Sequence, residues 1–398
     1  MTTRAGGVWR AVVLCALGTA GCGSDGSPIG PVPSERRSFP GDGHTLGYVA
    51  NQYADTVSVV DLTTVTVLGE VPVGMNPVEV DGPRQLTLDP GRGLAYVLLT
   101  YPLTALGAHA IAHGAQPPFG EVRALSLLDL TPLGDEAVDR RAAALALSRD
   151  GSLLAAVHAD QDLESLSTDL DSRRANIALI SPAWALATEK ESERKSAVCV
   201  APEDVVLSRD GTRAFIACTG EDSLVVVDTT TMNVVTRVPA GDGVVNKPTA
   251  IALDPTGTRL LLSNELTGKV VVFTADDTAA MLFSSDDLGG SPGPVAFLSS
   301  GDWLVPLQAP DGAARLDAGT GKVLAYTAFG PDTCQSPHAA SLTAAGDVFL
   351  VCEGDHYSPG RIDALDPTTL EVGAGLSVGL YPDRLAIREP AMTAAAQP

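Results

Sequence analysis

Histidines and carboxylates lie close together at two places in this sequence, where they could bind a metal ion or a small ligand. His158 lies near Asp160, and Glu353 is followed by Asp355 and His356. Imidazole and carboxylate together suit Zn, Cu, Ni or Fe. No tight ligand spacing on a predicted helix supports a metal site at either place. No cofactor is therefore predicted, and a bound metal stays an open alternative.

Established catalytic motifs are nearly absent. The sequence has no P-loop, no HExxH and no dinucleotide fingerprint. Residues 289–293 match GxSxG, but a nucleophile elbow requires a strand, a turn and a helix. Here a glycine-proline loop precedes a predicted strand. These observations favour a protein without catalytic activity and leave an enzyme as the alternative.

Four of the six cysteines form two matching pairs. Cys199 and Cys218 flank the first strand and second strand of one predicted hairpin, and Cys334 and Cys352 flank those of another. Four cysteines allow three connectivities, but the repeated position favours a disulfide within each pair. Thiolate ligation of a metal is less favoured because the sequence contains no CxxC.

The elements that must position these side chains are repeated. Each unit has a proline or small residue, an apolar strand, a turn with glycine, a second strand, a polar loop and a third strand ending near Asp. Copies begin at Pro83, Ala143, Pro202, Pro248, Pro294 and Pro337. The last turn glycines, Gly211, Gly257, Gly301 and Gly346, are 46, 44 and 45 residues apart. Propeller blades of four strands need ~40–45 residues.

The first unit carries a family resemblance. Tyr48-Val49-Ala50-Asn51, followed by 57–61 and 71–74, resembles the YVTN β-propeller repeat, and the likeness covers residues 44–388. It implies an all-β propeller, and six internal first strands plus a terminal one predict seven blades, closed by pairing of the N- and C-terminal segments. Residues 44–74 lack a first strand, and 381–387 could supply it; residues 34–39 are the competing choice. The resemblance is specific for fold and weak for function.

The propeller resemblance implies that one face collects the polar loops and that a ligand could bind there. Five of the six histidines map to that face, including His109 and His113 in the insertion 101–121. Exposed loops are commonly polar even where no ligand binds, so a face without a binding site stays an open alternative. The candidate ligand residues are Asn51, His158, Asp160, Glu221, Asp222, Asn264, Glu265, Gln308, His338, Glu353, Asp355 and His356.

The N-terminus is typical of an exported lipoprotein. Two arginines and a short apolar run end in Thr19-Ala20-Gly21-Cys22, which is similar to a lipobox with Cys22 as the acylated residue. An ordinary signal peptide is the alternative. We expect a signal peptide at 1–21, a flexible tether at 22–43, one propeller domain at 44–390 and a disordered tail at 391–398.

The net charge of −22 disfavours nucleic acid as a partner, because a strongly acidic chain repels phosphates. We expect a monomeric cell-envelope protein, exported and lipid-anchored at the outer membrane. Its expected role is non-catalytic binding or scaffolding for an unknown protein or small molecule through the polar face. The alternatives are a lactonase-like or quinoprotein-dehydrogenase-like propeller enzyme, or a partner of a periplasmic redox protein.

Overall fold

A computed structural model describes residues 38–39, 43–74, 80–101, 119–158, 173–185, 193–330 and 332–390. The expected signal peptide, Cys22 and tail lie outside this range, as do Asp160, His109 and His113. The described residues form β-sheets and one 3-10 helix, Pro182–Ala185. Among them, no helix is long and apolar enough to cross a membrane.

The strands form seven antiparallel sheets, which are the seven blades of a propeller ring. In blades two to five, four successive strands run from the central channel to the rim. The bounds are β4 (Pro83–Asp89), β5 (Leu94–Leu99), β6 (Glu121–Ser126), β7 (Pro132–Ala137), β8 (Ala142–Leu147), β9 (Leu154–His158), β10 (Ala175–Ile180), β11 (Arg194–Cys199), β12 (Pro202–Leu207), β13 (Arg213–Cys218), β14 (Ser223–Asp228), β15 (Val234–Pro239), β16 (Pro248–Leu253), β17 (Arg259–Asn264), β18 (Lys269–Thr274) and β19 (Met281–Ser284).

Blade six has an interrupted inner strand, and blade one is assembled from both ends of the chain. The bounds in blades six and seven are β20 (Ser291–Pro292), β21 (Ala296–Phe297), β22 (Trp303–Gln308), β23 (Gly312–Leu316), β24 (Val323–Ala328), β25 (Pro337–Leu342), β26 (Val348–Cys352), β27 (Pro359–Leu365) and β28 (Val372–Leu380). Blade one contains β1 (Leu46–Asn51), β2 (Thr56–Asp61), β3 (Thr66–Pro72) and the last strand, β29 (Pro382–Arg388).

The core consists of seven apolar clusters, one between each pair of neighbouring blades. Strands such as β1, β2 and β5 are therefore buried along their whole length. This explains runs such as Leu224-Val225-Val226-Val227, where β-branched residues fill both faces of a strand. The outer strands, such as β3 and β24, are mostly exposed.

The C-terminal strand closes the ring, as the sequence predicts. β29 pairs antiparallel with β1, opposing Gly47 to Ile387 and Val49 to Leu385. Since β29 occupies the inner edge of blade one, the competing assignment of that position to residues 34–39 is wrong. Phe39 instead packs between blades one and two, and its amide donates to the Leu128 carbonyl at 2.9 Å.

Both predicted disulfides are present. Cys199 is joined to Cys218 and Cys334 to Cys352, with Cα–Cα distances of 6.0 and 5.2 Å. One feature differs from the hairpin expectation. Cys199 is the last residue of β11, the outer strand of blade three, whereas Cys218 ends β13 in blade four. This bond therefore links two neighbouring blades.

Candidate functional site at the channel mouth

A backbone irregularity recurs at the start of five inner strands, and in four of them the affected residue lines one mouth of the central channel. In blades two, three, four, five and seven, the first residue of the inner strand pairs with the second strand. The next residue has no partner there, and pairing resumes at the third. Such a β-bulge re-aims the extra side chain. The bulged residues are Arg84, Ala143, Glu203, Thr249 and His338.

The turn before the inner strand is also repeated. Six residues at this point have positive φ: Gly82, Arg141, Ala201, Lys247, Ser336 and Tyr381. Only one of the six is glycine, although the left-handed region costs other residues roughly 1–2 kcal/mol. In blade one, Tyr381 precedes Asp383 and Arg384, where the register against β1 also shifts.

Two histidines and two carboxylates meet on the blade-seven side of this mouth. His338 Nδ1 lies 2.6 Å from Glu353 Oε1, and His356 Nε2 lies 3.0 Å from Glu353 Oε2. His338 Nε2 faces Asp383 Oδ1 at 3.6 Å. The His356 ring meets the Tyr381 ring edge-on, with centroids 4.2 Å apart. Glu353 and Asp383 are almost fully buried.

Two arginines reach across the channel to blade four. Arg84, from blade two, donates from Nη2 to Glu203 Oε1 at 2.6 Å. Arg384, from blade one, donates from Nη2 to Asp204 Oδ2 at 3.2 Å. Both also face Asp383, since Arg84 Nε lies 3.6 Å from its Oδ2 and Arg384 Nε lies 3.9 Å from its Oδ1.

Of these side chains, Arg84, Glu203, His338, Asp383 and Arg384 line a cavity of about 200 Å³. It is lined by inner strands of blades one, two, four, five, six and seven. The channel beyond it, past Gln85, Asp204 and Arg384, is lined mainly by apolar residues such as Leu145 and Ile251.

The electrostatic environment favours ionised groups on His338 and Glu353. Burial alone would lower the pKa of His338, but the charge of Asp383 and the hydrogen bond to Glu353 outweigh it, so the pKa is raised. Burial would raise the pKa of Glu353, but the hydrogen bonds from His338 and His356 outweigh it, so the pKa is lowered. Burial, and then the charge of Glu353, raises the pKa of Tyr381 and keeps the phenol neutral.

Five of the predicted ligand residues lie at or beside this mouth. His338, Glu353 and His356 form the cluster described above, and Glu265 and Gln308 line the cavity. Glu265 is also paired with Lys247 at 2.7 Å.

Three more of the predicted residues are buried in the blades, where they satisfy the backbone or neighbouring side chains. Asn51 Nδ2 donates to Thr56 and Ser58, and Asn264 Nδ2 donates to the Ala240 carbonyl at 2.9 Å. His158 is fully buried, its Nδ1 lies 2.9 Å from the Asn176 carbonyl, and burial lowers its pKa to about 4.

The remaining three stabilise loops. Glu221 pairs with Arg174 and Arg237 and accepts from the Val200 amide. Asp222 accepts from the amides of residues 246 and 247, and Asp355 from those of residues 357 and 358. Asp160 lies outside the described residues. The face predicted from register therefore contains one cluster able to bind a ligand and several side chains with structural contacts.

Sequence reasoning missed Arg84, Glu203, Asp204, Asp383 and Arg384. A signal was available, because Arg84, Glu203, His338 and Asp383 each directly follow the proline that starts an inner strand. The residue after that proline is the one that the bulge directs into the channel.

One potential metal-ligand cluster is present among the described residues. The donor atoms of Cys334, Cys352 and Asp363 lie within 4.8 Å of one another. Both sulfurs belong to the disulfide, so they are not available as thiolates. At the mouth, His338 and His356 contact different oxygens of Glu353.

Fold and site together define a seven-bladed β-propeller with a polar cavity at one mouth of its channel. A periplasmic gluconolactonase of Pseudomonas aeruginosa, PpgL, has a similar structure, with a TM-score of 0.63 and 15% identity over 87% of this chain and 99% of that chain. Kuenenia stuttgartiensis hydrazine synthase has a TM-score of 0.54 and 17% identity over 76% and 88%. The dihydro-heme d1 dehydrogenase NirN has a TM-score of 0.57 and 14% identity over 90% and 78%.

At these identities the likeness establishes the propeller fold alone. No family model matches the sequence, and no curated protein sequence matches it.

Proposed function

We propose that this chain is an exported β-propeller that binds a small polar molecule at the channel mouth. The observation that carries the proposal is the convergence of His338, Asp383, Arg384 and Arg84 on one cavity of about 200 Å³. A concave site with a few convergent polar groups is the usual form of a small-molecule site. The groups come from blades seven, one and two, so they converge only when the ring is closed.

Export and membrane attachment belong to the same proposal. Two disulfides support an oxidising compartment such as the periplasm. The lipobox-like segment supports acylation of Cys22 and attachment to the outer membrane. The proposal also includes a monomeric state and, from the repeat, membership of the YVTN family. A metal at the mouth stays a proposal of the same kind, with His338 or His356 as its nitrogen ligands.

A second candidate is the hydrolysis of a lactone by acid–base catalysis. His338 favours it, because Nδ1 is held by Glu353 and Nε2 is left to hold or transfer a proton beside Asp383. The name of the Pseudomonas aeruginosa propeller supports a lactone as the substrate to test. In this candidate the arginines orient the substrate, and Glu353 keeps the imidazole in one orientation.

The binding proposal is tested with the mature protein, screened against neutral sugars and sugar acids by ligand-observed NMR, and analysed for metal content. His338→Gln should weaken binding at least tenfold. His44→Gln is the matched control, because His44 Nδ1 pairs with Asp61 Oδ2 at 2.7 Å outside the cavity. Equal binding by both variants, or no binding by the wild type, would contradict the proposal.

The lactonase candidate is tested by following acid release from gluconolactone. The wild type should accelerate hydrolysis over buffer, and His338→Gln should abolish the acceleration while His44→Gln retains it. A wild-type rate equal to the buffer rate would exclude this activity and leave the binding proposal standing.

A further inference from the structure

Two buried polar atoms at the mouth make no hydrogen bond to the described residues. Asp383 is 2% exposed, and its Oδ1 accepts no hydrogen bond. Arg384 Nε is also buried and donates none, although the Nη2 of the same guanidinium is paired with Asp204. Buried polar atoms without hydrogen-bond partners call for an explanation. Others are present within the blades, such as Asn51 Oδ1 and His158 Nε2, but Asp383 and Arg384 differ from these in lining the cavity at the mouth.

The geometry leaves a space between these atoms. Asp383 Oδ1 lies 3.6 Å from His338 Nε2 and 3.9 Å from Arg384 Nε, both beyond an ordinary hydrogen bond. A polar contact at such a distance suggests that another oxygen lies between the groups. All three residues line the cavity, whose volume of about 200 Å³ is several times the roughly 30 Å³ of one water molecule.

The unpartnered atoms require opposite partners. Asp383 Oδ1 needs a donor, and Arg384 Nε needs an acceptor. A hydroxyl group provides both at once, since it donates one hydrogen bond and accepts others. An ionised carboxylate or phosphate oxygen has no hydrogen for Asp383, and an ammonium group has no lone pair for Arg384. An anion would also lie close to the carboxylates of Glu203, Asp204 and Glu353.

We infer that Asp383 Oδ1 and Arg384 Nε form a subsite for one hydroxyl of a neutral, polyhydroxylated small molecule. This inference rests on the proposed binding function and specifies the ligand class. The ligand hydroxyl donates to Asp383 and accepts from Arg384, and the remaining cavity holds the carbon skeleton to which it is attached.

The experiment is a double-mutant cycle between the ligand and Asp383, measured by calorimetry or ligand-observed NMR. The probes are D-glucose, D-galactose, D-ribose, the single-position deoxy derivatives of D-glucose, and D-gluconate. In the wild type, a neutral sugar should bind more tightly than gluconate. One deoxy derivative should lose about tenfold or more in affinity, as expected for a hydrogen bond to a charged group.

Asp383→Asn should lose a similar factor for the parent sugar, and the deoxy penalty should disappear in that variant. Asp347→Asn is the control, because Asp347 is an exposed carboxylate in the turn at the opposite end of blade seven. It should bind as the wild type does. The deoxy series on the wild type tests the subsite even if Asp383→Asn fails to fold.

The outcomes separate the two proposals. If no probe binds, the binding function itself is overturned. If sugars bind but Asp383→Asn binds them equally well, or the deoxy penalty persists in it, the binding function stands and the subsite is wrong. A wild type that prefers gluconate overturns the neutral ligand class. If no deoxy position matters, only water occupies the gap and the subsite is again wrong.

Discussion

The global stability of the propeller should depend on its last strand, the seven residues of β29. Ending the chain after Leu380 removes β29 and leaves the inner edge of β1 unpaired. About five ladder positions are lost at ~1 kcal/mol each, and burial of Leu385 adds ~2 kcal/mol. Together these losses consume much of a typical unfolding free energy of ~5–15 kcal/mol.

The assay is urea unfolding followed by circular dichroism, with the chain ending at Pro390 as the matched control. The chain ending at Leu380 should unfold at much lower urea or fail to fold, whereas the control should match the full mature chain. Equal midpoints for the two truncations would refute the reasoning, because the ring would then close without β29.

Point variants test the same seam at finer scale. A Cβ on Gly47 would lie 2.7 Å from Leu385 Cδ1 and 2.7 Å from Val60 Cγ2. Gly47→Ala should therefore cost about 1–3 kcal/mol through overpacking. Leu385→Ala should relieve part of that clash, so the double variant should be more stable than the sum of the single changes predicts. Additive effects would mean that the two side chains do not meet across β1 and β29.

Three further predictions concern the Cys334–Cys352 disulfide, His338 and Glu221. Replacing Cys334 and Cys352 with serine should reduce the unfolding free energy by about 3 kcal/mol, measured in urea with the oxidised wild type as control. Folding raises the pKa of His338, so the protonated imidazole stabilises the folded protein. This stabilisation is complete below the unfolded pKa of ~6.5 and is lost as pH rises through the higher folded pKa. The urea midpoint of His338→Gln should not show this loss. Glu221→Gln should lower the free energy of unfolding by about 2 kcal/mol, measured by heat or urea, because Glu221 pairs with Arg174 and Arg237. These pairs lie outside the cavity, so ligand affinity should not change.

Repetition explains why the fold could be predicted from one sequence. Each unit repeats the same pattern, so the prolines before Glu203 and His338 both indicate the start of an inner strand. The closing strand could be recognised because Tyr381-Pro382 matches the start of an inner strand, the element that residues 44–74 lack. The two disulfides followed from their equal positions in the repeat.

The site could be predicted only in part, because it depends on geometry across the ring. Glu353 and His356 are near in sequence, but Arg84 and Glu203 are 119 residues apart and meet only across a closed channel. The alternation of polar and apolar residues does not reveal the β-bulge that turns Arg84 towards the cavity; the recurring proline before the bulged residue is the sequence signal for it. A polar residue such as Asn51 looked equivalent in sequence, yet it hydrogen-bonds inside its own blade.

The charged groups at the mouth are better explained by function than by stability. Other blades have Ala143 and Thr249 at the same bulged position, so small neutral side chains fit the fold there. The ion pairs Arg84–Glu203 and Arg384–Asp204 are only partly buried, and such pairs contribute little to stability because solvent screening and desolvation offset the attraction. The chain has only 26 lysines and arginines against 48 acids, and two of the arginines are placed across the channel. An arginine, Arg84, at the position where blade three has alanine, together with a buried carboxylate oxygen that accepts no hydrogen bond, favours a binding site over a structural plug.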